Sequence, residues 1–71
     1  MEMTKEFQVK VSREVSPLKN YAIKLTHDQE EAEDLVQDTM LKAFINEDKF
    51  SEGTNLKGWL YTMMKNIFIN K

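Results

Sequence analysis

Cysteine is absent from the 71 residues, which excludes a disulfide framework and any thiolate metal site. His27 is the sole histidine, and one imidazole leaves too few nitrogen ligands for zinc. Proline occurs once, at Pro17, so few positions force a break in a helix. No apolar run approaches the roughly 20 residues needed to cross a bilayer. The opening Met1-Glu2-Met3-Thr4-Lys5-Glu6 is not that of a signal peptide. A soluble protein is expected, and a reducing compartment is compatible with it. The length allows one domain, spanning residues 1–71. A chain this short buries only about 60% of its unfolded surface, so its net stability should be a few kcal/mol and rest on a single core.

An excess of positive charge is also lacking, with ten Lys and Arg against twelve Asp and Glu and a formal net charge of −2, which by itself speaks against a polyanionic partner. The charge is segregated, however. From Met1 to Thr26 the balance is +2, from His27 to Asp48 it is −7 with Lys42 the only basic residue, and from Lys49 to Lys71 it returns to +3. An acidic middle between basic ends suits a domain that offers one surface to a basic protein and another to a polyanion. It equally suits three solvated helix faces.

Phe7, Val11, Val15, Leu18, Ala22 and Leu25 step by four, four, three, four and three, the period of one helical stripe. The stripe stays in phase across Pro17, so a long first helix is expected with a kink or a restart capped by Ser16. Val9 permits a frayed, partly extended start. Asp28 with Glu31 three residues later reads as a capping box opening a second helix. Acids crowd its first turns, where the helix dipole favours them. Ala32, Val36, Thr39 and Ala43, with Met40 and Phe44, form its expected buried side, and Asn46 to Asp48 end it. Lys49 to Asn55 has turn composition, and Thr54 or Asn55 can cap the next helix. Leu56, Trp59, Leu60, Met63, Met64, Ile67 and Phe68 then recur at helical spacing, predicting a third helix to the chain end. The apolar ending, without a glycine cap, is expected of a fragment of a longer protein.

Catalysis is hard to place on this chain. The only histidine falls in a turn, with no oriented nucleophile beside it. The carboxylates are strung along a solvated helix, without the apolar surroundings that raise a catalytic pKa. His27 with Glu31 offers at most half a metal site. No enzyme, no metal and no cofactor is therefore expected.

Binding residues are easier to find. Asp34, Gln37, Asp38 and Leu41 lie at i, i+3, i+4 and i+7, a polar strip with one apolar member away from the core. The run Asp28-Gln29-Glu30-Glu31-Ala32-Glu33-Asp34-Leu35-Val36-Gln37-Asp38-Thr39-Met40 resembles the second conserved region of extracytoplasmic-function sigma factors, of the sigma-70 family. Leu18 to Thr26 is similar to that family's preceding helix end. Lys49-Phe50 through Gly53-Thr54-Asn55-Leu56-Lys57-Gly58-Trp59-Leu60 is similar to its promoter-reading loop and helix. The likeness spans nearly the whole chain in order, and the Asp-Leu-Val-Gln and Trp-Leu-Tyr segments are its most specific parts.

The resemblance implies an all-α, antiparallel three-helix bundle, the sigma factor region 2 domain, working in the bacterial cytoplasm. It implies that Asp34, Gln37, Asp38 and Leu41 face RNA polymerase core, on the coiled coil of the beta-prime clamp. It implies promoter DNA as second partner, the non-template strand of the minus-ten element, with a flipped base held by Phe50, Ser51, Gly53, Thr54 and Asn55. Asn66 occupies a helix position that contacts DNA in the family, and Lys57, Tyr61 and Lys65 would lie beside the strand. An anti-sigma factor is a further implied partner. The family's minus-thirty-five-reading domain has no counterpart here, so promoter-specific initiation is not expected of these residues alone.

Independent physics agrees with the loop's role. A loop with an aromatic, hydroxyls and an amide can hold an unstacked base and bond its edges, whereas reading a duplex edge-on needs a helix in the major groove. Plainer readings stand beside it. Trp59 suits a core as well as a stacking platform, Phe50 can plug the domain end, and Asn55 can simply cap its helix. Tyr61 lies off the apolar stripe, which permits exposure and DNA contact without requiring either. Thr62 stands where many relatives carry a basic residue, which weakens the case for phosphate binding there. The rival function is a helical interaction module that docks on polymerase or a regulator without reading DNA.

Overall fold

The computed structural model describes residues 5–51 and 53–70. They form four α-helices and a single 3-10 turn: α1 (Lys5–Ser12), α2 (Val15–Thr26), α3 (Gln29–Ile45), the turn Glu47–Lys49, and α4 (Leu56–Ile69). No strand occurs among the described residues.

The stripe from Phe7 to Leu25 is thus carried by two helices, so the expected first helix divides. The break falls at Arg13 and Glu14, upstream of Pro17. In an unbroken helix Pro17 would face the carbonyl of Arg13, to which it has no N–H to offer and with which its ring would clash. The chain solves this by tightening and restarting. The Glu14 N–H bonds Val11 O at 2.9 Å, and the next helical bond runs from Leu18 N–H to Glu14 O at 2.9 Å. Glu14, not Ser16, holds the cap position, at φ −93° and ψ 0° and without a side-chain cap bond. Pro17 therefore sits in the first turn of α2, where a missing N–H costs nothing. Val9 lies inside helical α1, so the extended start it permits is not adopted.

The α2–α3 turn forms close to expectation. His27 takes a left-handed conformation, φ 57°, and Asp28 caps α3 by accepting from the N–H groups of Glu30 at 2.8 Å and Glu31 at 3.3 Å. Half of the capping box is made by another residue, because the Asp28 N–H donates to Thr26 Oγ1 at 3.3 Å. An ion pair, Lys19 to Glu33 at 3.7 Å, ties α2 to α3. Both side chains are largely solvated, so it contributes well under about 1 kcal/mol.

Leu18, Ala22, Ala32, Leu35, Val36, Ala43, Leu60 and Met64 form one buried cluster drawn from α2, α3 and α4. Leu35 was not among the positions expected to be buried. It is, because α3 packs against both α2 and α4, and a helix covered on two sides buries a wider arc than one stripe. Thr39 is wholly buried as well, its hydroxyl donating to Leu35 O at 2.7 Å, which removes the cost of burying it. The last helix can be followed to Ile69 with Asn70 as its C-cap, and Lys71 lies outside the described residues.

Candidate binding surfaces

On α3, Asp34, Gln37, Asp38 and Leu41 are all exposed, Leu41 by 61%. The strip is longer than its sequence pattern suggests. Ile45, 72% exposed, continues the line one turn beyond Leu41, so the acidic end of the face near Asp34 gives way to an apolar end. The four-residue spacing from Leu41 to Ile45 is the signal that could have found it.

The other candidate surface is the segment between α3 and α4. Phe50 turns inward, its ring centroid 5.9 Å from that of Phe7 and 5.1 Å from that of Trp59. Phe7 also meets Trp59 at 6.1 Å and Phe44 at 6.5 Å, both edge to face, so four rings from three helices and the loop close this end of the domain. Trp59 is half-buried. Ser51, Gly53 and Thr54 remain exposed and form a tight turn. Both the N–H and the hydroxyl of Thr54 donate to Ser51 O, and Gly53 supplies the left-handed φ of 89° that the turn requires. Asn55 holds the N-cap position of α4 but makes no side-chain cap bond. Its amide lies over Gly58, where a Cβ would come within 3.2 Å of Nδ2.

Phe50, Gly53 and Thr54 line a depression of about 330 Å³ together with Leu56 and Lys10. Lys10 comes from α1, forty residues earlier in the chain, and no spacing rule could have joined it to the loop.

The expected nucleic-acid residues on α4 divide between its two flanks. Tyr61 is half-buried, not exposed, because it stacks on Tyr21 of α2 at 4.6 Å and 11°. The pair borders a depression of about 360 Å³ with Pro17, Asn20 and Lys24. Lys57 and Lys65, one turn either side of Tyr61, are exposed along that flank. Asn66 is on the opposite flank, in a depression of about 240 Å³ with Thr62, Trp59, and Lys42, Asn46 and Lys49 from the end of α3 and the 3-10 turn. Lys42 and Lys49 place two cations near Asn66, on the flank where Thr62 had left a gap in charge. No group of three or more acidic, His or Cys side chains is arranged to hold a metal among the described residues. No helix there is long and apolar enough to cross a membrane.

The described residues thus form an all-helical domain with an exposed polar strip on α3 and a ring-closed loop at one end. Residues 11–71 match the sigma-70 region 2 family. The chain is 38% identical over 68 residues to the ECF RNA polymerase sigma factor EcfG of Rhodopseudomonas palustris, covering 96% of this chain and 38% of that protein. It is 41% identical over 51 residues to the RNA polymerase sigma factor YlaC of Bacillus subtilis, covering 72% of this chain and 30% of that one. The sigma factor RpoE of Bartonella quintana, solved in complex with the anti-sigma factor NepR, superposes with a TM-score of 0.88 at 40% identity, over 94% of this chain and 42% of that one. The chain belongs to the sigma-70 region 2 family, in its extracytoplasmic-function branch. It spans between 30% and 42% of the length of these relatives.

Proposed function

We propose that this domain is a transcription initiation module. The α3 strip of Asp34, Gln37, Asp38 and Leu41, extended by Ile45, docks on RNA polymerase core at the beta-prime clamp coiled coil. The 50–55 loop and α4 hold the non-template strand of the minus-ten element, with one unstacked base in the depression beside Gly53 and Thr54. No catalytic step is assigned to it. The observation that carries the reading is that depression: an apolar floor from Leu56, a hydroxyl and turn backbone at Thr54 and Gly53, and enough volume for a nucleobase. Phe50 shapes it from beneath, since its ring is already engaged by Phe7 and Trp59. Asn55, at the loop's end, offers an amide free of any cap bond. An anti-sigma factor is a proposed further partner, as the Bartonella relative was solved bound to one.

The test is competition between a consensus minus-ten oligonucleotide and a single-base variant, with polymerase core present. Thr54→Ala should erase discrimination at one base, worth about 1 to 3 kcal/mol, and leave the salt dependence unchanged. Equal loss on both oligonucleotides would make the loop a backbone grip. No binding of either, with core binding intact, would favour the module that only docks on protein.

A further inference from the structure

The depression at the loop has one charged member among its described lining residues, and that member is not on the loop or on α4. Lys10 stands beside Phe50, Gly53, Thr54 and Leu56. Its position follows from packing. Phe7, one turn earlier on α1, is buried against the rings of Phe50 and Trp59, and Val11, the next residue, is wholly buried. With the helix held on both sides of it, Lys10 is carried to the rim of the loop while its own side chain stays exposed. Lys10 also borders a second, shallower depression of about 520 Å³ on α1, with Lys5, Glu6, Val9 and Arg13. Lys5, Val9 and Arg13 border it together, so two further cations flank an exposed apolar residue there, with Glu6 the one acid beside them.

A nucleotide seated at the loop brings one phosphate with its base, and the neutral groups of Gly53, Thr54 and Leu56 cannot balance it. An ammonium is a compact charge with three donors and no acceptor, suited to a phosphate oxygen and poorly suited to discriminating among base edges. Resting on the strand-binding reading above, we infer that Lys10 grips the phosphate of the nucleotide held at the loop. The first helix is then part of the strand-binding surface, and Arg13 and Lys5 continue the track for the adjoining backbone.

The experiment measures binding of single-stranded minus-ten oligonucleotides to the whole chain with polymerase core, between about 50 and 200 mM salt. Lys10→Gln should reduce the slope of log affinity against log salt by about 0.7, equally for consensus and single-base-variant strands, and Lys10→Arg should restore it. A single methylphosphonate walked along the strand should reveal one position where removing the phosphate charge and Lys10→Gln are not additive. An unchanged slope in Lys10→Gln, or full additivity at every position, overturns the inference. So does a loss of base discrimination at constant slope, which would make Lys10 a reader of the base edge. The two readings fail separately. A wild-type complex that binds both strands equally refutes base capture, yet the slope and the methylphosphonate pairing still decide for or against Lys10. Absence of any strand binding overturns both.

Discussion

Phe7 touches three other rings, and through them it holds α1, α3, the loop and α4 together. Of its neighbours Trp59 is the most informative to remove, since it also packs on Phe50 and is only half-buried. Trp59→Ala should cost about 2 to 3 kcal/mol, below the range for a fully buried tryptophan but including two lost ring pairs. For a domain of this size that is a large share of the total. Urea unfolding of the purified variant checks it. A variant as stable as the parent would mean that the ring cluster does not anchor α1, and would return Trp59 to the role of a stacking surface. Tyr21 and Tyr61 form a second aromatic contact, between α2 and α4, at a different place on the domain.

The starts of α2, α3 and α4 are not all made by the same local device, and the devices differ in what they contribute. At α3 the cap is a side chain with two good acceptor contacts, and the preceding His27 bears the strain of a left-handed backbone. Asp28→Ala should lower stability by about 1 kcal/mol, or roughly 4 to 8 °C in thermal midpoint for a domain this small. His27→Gly, which relieves the positive φ, should leave the midpoint unchanged or raise it. Circular dichroism melts of the two variants decide the matter, and a neutral Asp28→Ala would show that packing alone starts α3. At α2 and α4 neither Glu14 nor Asn55 makes a side-chain cap bond. These helix starts are held by the burial of Leu18, Leu60 and Met64 further along them.

At the scale of the molecule, the surface proposed to bind protein lies on the side of α3 opposite its buried residues. The surface proposed to bind the strand is built from α1, the loop and α4. The acidic, partly apolar strip on α3 can therefore be altered without disturbing the core. Asp34→Lys and Gln37→Ala should weaken capture by immobilised polymerase core while shifting stability by under about 0.5 kcal/mol, as exposed substitutions usually do. Unchanged affinity for the beta-prime coiled coil in both variants would remove docking from this face. Salt acts on the two surfaces differently as well. Strand binding as proposed, through Lys10 and the α4 lysines, would depend on released counterions, whereas Leu41 and Ile45 would give the proposed docking face a component that salt does not screen.

Much of this was legible from residue order alone. The cap at Asp28, the span of α4, the outward face of Asp34 to Leu41 and the family likeness all depend on residues close in sequence, and helical period is a local property. Pro17 announced a break, although the carbonyl it would clash with put that break at Arg13 and Glu14, with the cap two residues earlier than Ser16. Tertiary structure alone decided the rest. Leu35 is buried because α3 has neighbours on two sides. Tyr61 is covered because Tyr21 lies across from it. Lys10 stands at the loop because Phe7 packs on Phe50. Each of these depends on how one helix is rotated and tilted against another, and that is set by the fit of side chains distant in sequence, which no periodicity within a single helix encodes.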